Sequence, residues 1–182
     1  MQRVILSPPA LPSSALAELK QWLGITTTQD DAPLTALLRA ALQTCEAFTG
    51  LMPIEAECEE MLPACAGWRS LATRPVTAIT ALDGVTASGD RFILTTGTYD
   101  FELDADGAGR VRLLEAGAAT HVAVRFTAGL APDWDGLPDS LRHGLMRLAA
   151  HQHRERESDG AAPLPPASVA ALWRPWRRMR LA

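Results

Sequence analysis

Few residues in this chain have the types and spacing that chemistry needs. His151 and His153 stand two apart in a helical pattern. An α-helix turns by about 100° per residue, so their rings point in nearly opposite directions and cannot easily chelate one ion. His143 lies two turns from His151, too far for a shared ligand site. Asp104, Asp106 and Gly107 suggest a calcium loop, but a plain turn between strands is the favoured reading. Ser140 and His143 fall at i and i+3 of one helix, with no carboxylate placed to orient the histidine. Cys45, Cys58 and Cys65 have no Cys-x-x-Cys spacing, which argues against a zinc site and against a secreted disulfide framework. No nucleophile elbow, P-loop or glycine-rich dinucleotide loop occurs. The expectation is a protein that is not an enzyme, with no cofactor and no metal.

The strongest functional candidate is the C-terminal run Leu172, Trp173, Arg174, Pro175, Trp176, Arg177 and Arg178, with Arg180 just beyond it. Tryptophan and arginine are the residue types enriched at interface hot spots. Indoles supply large apolar area, and guanidinium groups grip carboxylates in a forked geometry. A short arm cannot bury two tryptophans by itself. It must pack on its own domain, dock on a neighbouring copy or partner, or contact DNA or anionic lipid.

The elements that would position these residues follow from periodicity. Between His121 and Glu157, Val122, Val124 and Phe126 alternate with Ala123, Arg125 and Thr127, the pattern of a half-buried strand. Ala128-Gly129 breaks it, and Pro138 with Asp139 opens a helix expected over 138–157. Leu141, Leu145 and Leu148 line one face of that helix, with Gly144 and Ala149 small enough for a close approach. Its other residues, Arg142, Arg147, His151, Arg154 and Glu155, are candidates for contact with another subunit. Two earlier helices are expected at 14–23 and 32–49. The second carries Leu34, Leu37, Leu38, Ala41, Leu42, Cys45 and Phe48 at helical spacing and ends at Gly50. Cys45 then lies on an apolar face as a buried thiol.

Between these helices, 55–128 reads as a β region. Its strands are expected at Glu57–Leu62, Trp68–Ala72, Val76–Leu82, Arg91–Leu94, Tyr99–Leu103 and Val111–Leu114, the last two forming a hairpin. Residues 1–12, with three prolines, read as an extended N-terminal arm. Residues 158–182 read as a linker followed by a C-terminal docking arm. The fold class is α+β: a small helical bundle, two N-terminal helices plus one long C-terminal helix, with an inserted antiparallel β region and an extended C-terminal arm.

Composition narrows the function. The 182 residues suit one domain with a tail, and 47% hydrophobic residues can build a core. A net charge of −4 excludes a general nucleic-acid binder by composition. The sign is uneven, with no acidic residue after Asp159. The apolar run in MQRVILSPP is too short for a signal peptide, and no stretch approaches the roughly 20 apolar residues of a membrane helix. A soluble protein made in a reducing compartment is expected, with no membrane partner.

Several segments together resemble the head–tail connector proteins (adaptor or head-completion proteins) of long-tailed phages and phage-like gene transfer agents. They are Phe126-Thr127-Ala128-Gly129, Pro138, Leu148-Ala149-Ala150-His151 and Arg154-Glu155. The acidic Asp30-Asp31 loop, the Glu46-to-Gly50 helix ending, Arg74-Pro75-Val76 and the Leu164-Pro165 to Arg178 tail also fit. The chain has Leu130 and His151 where the family often has tyrosine. The resemblance implies a structural virion protein, assembled in the host cytoplasm and located at the head–tail interface. Copies would form a ring of twelve between the portal protein and the stopper or tail-completion protein, continuing the channel through which DNA passes. The implied role of the Trp/Arg arm is docking on the portal or on a neighbouring copy. The alternative is a DNA-binding module that uses the same arm.

Overall fold

The computed structural model describes residues 3–155 and 165–177. The chain divides into two compact units. Met1–Pro9 with Glu55–Gly129 makes a β unit, and Ala10–Ile54 with Leu130–Ala182 makes a helical unit. The class is α+β, with antiparallel sheets and four α-helices among the described residues.

The β unit contains β1 (Arg3–Ser7), β2 (Ala56–Pro63), β3 (Arg69–Ser70), β4 (Val76–Val85), β5 (Arg91–Ile93), β6 (Tyr99–Leu103), β7 (Gly109–Leu113) and β8 (His121–Ala128). Five strands form one sheet in the order β1-β2-β8-β4-β5, and three form another in the order β3-β7-β6. The expected strands are found with their ends shifted by a few residues, and β6 and β7 form the expected hairpin, Tyr99 opposite Leu113.

β8 sits at the centre of the larger sheet because it can be covered on both sides. Val122, Ala123, Val124, Phe126 and Ala128 are all buried. On one face Cys58, Glu60 and Leu62 of β2 stand opposite Phe126, Val124 and Val122. Glu60 is a carboxylate only 1% exposed, and burying it is tolerable because its oxygens are satisfied. They accept the backbone N–H groups of Ala72 and Thr73 at 2.8 and 2.9 Å and the Thr73 hydroxyl at 2.6 Å. On the other face the Arg91 guanidinium donates two bonds to Glu59, at 2.7 and 2.8 Å. Arg125 there donates to Asp83 at 2.9 Å.

The N-terminal arm is a paired strand. Arg3, Val4 and Ile5 stand opposite Glu60, Glu59 and Cys58. Its three prolines do not prevent this, because all lie after Ser7. The strand supplies backbone partners to an edge of β2 that would otherwise stay open.

The helical unit contains α1 (Ser13–Leu23), α2 (Asp31–Thr49), α3 (Asp139–Arg154) and α4 (Ala167–Trp173), followed by a 3-10 turn (Arg174–Trp176). Gly24 and Gly50 end the first two helices at φ 72° and 75°, the left-handed conformation that glycine adopts without a steric cost. Ala15 and Leu19 of α1 join Leu34, Leu38, Ala41, Leu42 and Cys45 of α2 and Leu141, Leu145, Leu148 and Ala149 of α3 in one core. Burial pushes the Cys45 thiol up to about 12, against a lowering effect of its hydrogen bond with Thr49. Trp134, fully buried, donates its ring N–H to Glu18 at 3.1 Å.

The C-terminal segment differs from the extended arm expected. Residues 167–176 are helical. Pro166 occupies the N-cap and the following ASVAAL segment is rich in helix formers. Residues 156 and 157 of the expected helix, and the linker as far as residue 164, lie outside the described residues.

The Glu59–Arg91 pair makes stability depend on acid. Arg91's hydrogen bond holds the Glu59 carboxyl below its ordinary range, opposed by burial and helped by the charges of Arg91 and Arg125. The stabilisation is therefore full above the unfolded carboxyl pKa of about 4.3 and is lost as pH falls through the lower folded value. For a pair this exposed on the arginine side it amounts to about 1 kcal/mol or less. Urea unfolding of E59Q between pH 3 and pH 7 should show a flatter pH dependence than the parent chain. A parallel profile would contradict this role.

Candidate functional site

The C-terminal segment is held by two indoles of different depth. Trp173 is fully buried. Its ring lies against Gly144 of α3, where a Cβ would collide with the indole. Its N–H donates to the Leu141 carbonyl at 3.4 Å. Phe48 of α2 packs at 6.1 Å between ring centroids, tilted by 49°. Trp176 is half-buried and donates its N–H to the Ser140 hydroxyl at 2.9 Å. The Arg177 guanidinium sits 5.4 Å above the Phe48 ring centroid, within cation–π range.

Of the expected arm, then, Trp173 and Trp176 are engaged by their own helical unit, and Leu172 is half-buried against its core. Arg174, Pro175 and Arg177 are exposed. Arg178 and Arg180 lie outside the described residues. Val169 and Trp173 are core side chains, so removing this segment removes part of the core itself.

The charged residues of α3 fall into two sets. Arg142 lies 3.5 Å from Asp139, and His151 Nε2 lies 3.0 Å from Glu155. Arg147 and Arg154 are exposed and have no ion-pair partner among the described residues. Both line a depression of about 260 Å³, with Trp22, His143, His151 and Val169. The Trp22 ring meets His143 edge-on at 5.3 Å between centroids and remains 44% exposed. Nothing in the sequence singles out Trp22 for this groove, since at helical spacing it reads as one more apolar residue of the 14–23 helix. Gly144 was legible as a small residue inside a helix, but the indole that fills its gap was not.

The possible catalytic and metal groups are occupied otherwise. Ser140 accepts from Trp176 while His143 meets the Trp22 ring edge-on, so they form no dyad. Glu115 does stand at the twelfth position counted from Asp104, yet the segment folds as the β6–β7 hairpin rather than an ion loop. Asp104 there pairs with Arg110 at 2.7 Å and Asp106 with Arg74 at 3.4 Å. Among the described residues no group of three or more His, Cys, Asp or Glu could hold a metal ion. No helix among them is long and apolar enough to cross a membrane.

Residues 13–79 match the family described as phage gp6-like head-tail connector protein. The match covers 67 of the 182 residues. The matched residues run from the first residue of α1 into β4, across the join between the helical and β units. Three solved structures are similar along nearly the whole length. A chain in the neck of an empty gene transfer agent (GTA) particle, computed with C6 symmetry, is 29% identical, with a TM-score of 0.77 over 100% of this chain and 98% of that one. A chain in the virion of a native gene transfer agent particle is 29% identical, with a TM-score of 0.76 and the same coverage. One in the neck of the native particle, computed with C12 symmetry, is 29% identical, with a TM-score of 0.74 over 98% of this chain and 97% of that one. No curated protein matches in sequence.

The seat of Trp173 has a measurable cost when altered. Trp173→Ala should lower the unfolding free energy by about 3–5 kcal/mol. Gly144→Ala should lower it by about 1–3 kcal/mol, because the added methyl overpacks the indole. Equilibrium urea unfolding checks both, and a Gly144→Ala protein as stable as the parent would contradict the contact.

Proposed function

We propose that this connector-family chain is a structural protein of a phage-like particle and that its copies close into a ring of twelve in the neck. One side of the ring meets the portal and the other the stopper or tail-completion protein, and DNA passes through the bore. The single observation that carries this reading is the full-length likeness to a chain of a gene transfer agent neck computed with C12 symmetry. The physics is compatible. A closed ring needs head-to-tail contacts between two different surfaces of one chain, and a mildly acidic body repels DNA and lets it slide. The work is assembly rather than catalysis, carried out in the host cytoplasm before the particle is complete.

In this reading the residues after Trp173 reach the portal or a neighbour, while Trp173 itself anchors them. The DNA-binding alternative draws on the exposed Arg174 and Arg177, since Trp173 is enclosed and cannot stack on bases. Native mass spectrometry of the chain with its cognate portal ring separates the two. The expected outcome is a twelve-copy adduct on the portal, lost when the chain is truncated after Arg177 with the fold intact. A persistent monomer that ignores the portal, together with steeply salt-dependent DNA binding, would overturn the proposal.

A further inference from the structure

We infer that the depression on α3 receives an acidic edge strand from the next copy: the β6 edge of the neighbour's β unit, with Glu102 facing Arg147. The inference rests on the ring reading and names the two surfaces that would join one copy to the next.

The groove is built for an acidic and partly apolar occupant. Trp22 and Val169 give it an aromatic and aliphatic lining, and Arg147 and Arg154 place two guanidinium groups there that no described residue neutralises. Four arginines of the β unit, by contrast, are held by carboxylates. Arg91, Arg110, Arg112 and Arg125 each pair at 2.7–2.9 Å. Two arginines on one helix with no ion-pair partner among the described residues, beside a half-exposed tryptophan, are the residue types that carry interface energy.

The complementary surface lies on the other unit. The β unit carries the chain's whole net charge of −4, and the helical unit is balanced. β6 is the last strand of its sheet, so one row of its backbone groups has no strand partner among the described residues. Phe101 and Leu103 on it are 48% and 41% exposed. Their face continues the one that carries Val111 and Leu113, which are buried. An open edge with exposed large apolar residues is a template for association. Glu102 between them is exposed and has no ion-pair partner among the described residues, although it stands opposite Arg110, which turns to Asp104 instead. Asp100, the other acid on this strand, is already held by Arg112. Groove and edge are different surfaces of one chain, as a head-to-tail ring requires.

Charge reversal tests the pairing, with ring assembly on the cognate portal read by native mass spectrometry across a concentration series. R147E and E102R should each raise the concentration needed for assembly at least tenfold. The double variant R147E/E102R should recover most of that loss, because each joint then pairs opposite charges again. Both positions are exposed, so circular dichroism and melting should match the parent. Single variants that assemble like the parent, or a double variant no better than either single, would overturn the pairing while leaving the ring intact. A parent chain that forms no ring would overturn the ring reading and the pairing with it. An E157Q/D159N variant that loses assembly as R147E does would also overturn it, since the groove's acid would then belong to the same chain.

Discussion

The helical unit closes because one methyl group is missing. Gly144 has no Cβ, so the indole of Trp173 can lie directly against the backbone of α3 and fill the space between α2, α3 and α4. A glycine inside a helix costs about 1 kcal/mol relative to alanine. Burying a tryptophan outweighs that several times over. The rest of the C-terminal segment follows from this seat. Trp176 falls within reach of Ser140, and Arg177 arrives over the Phe48 ring. A segment of ten residues, too short to hold a helix alone, is thereby fixed in one conformation.

Charge is managed differently in different places. Glu60, buried in the larger sheet, is satisfied by two backbone N–H groups and a hydroxyl. Glu59, its neighbour on the opposite face, takes a two-pronged arginine. Both arrangements fix strands to one another. Arg147 and Arg154 of α3 do not fix the fold in this way, for they line a groove with no carboxylate among its described lining residues. A chain that works as one member of an assembly has a use for charge left unneutralised, because it sets register and suppresses wrong partners.

Much of this was legible in the sequence, for identifiable reasons. The leucines of α2 and α3 recur with helical period because each helix lays a leucine face into the core, and Gly50 and Pro138 punctuate them. β8 was readable from its alternation even though both of its faces are largely covered. The hairpin of β6 and β7 came from the Asp/Gly cluster between two short apolar runs. What could not be read depends on contacts between distant residues. β1 becomes a strand only because β2 offers an edge, and its own pattern of three consecutive apolar residues has no clear period. The C-terminal tail has the composition of a docking arm, and its hydrophobic side chains turn inward only because Gly144 and Phe48 form a seat for them. The connector motifs were visible because they are local turns and helix ends, whereas the α3 groove requires Trp22 from more than a hundred residues away.

The claim on which the account stands is that this chain is part of the neck. Its most direct test is cryo-electron microscopy of phage-like particles assembled with a tagged copy of the chain as the sole source of the protein. The expected result is tag density in a closed ring at the junction of head and tail, with the copies related by twelvefold symmetry. Complete particles whose tag density lies elsewhere, or particles assembled without the chain at all, would contradict it.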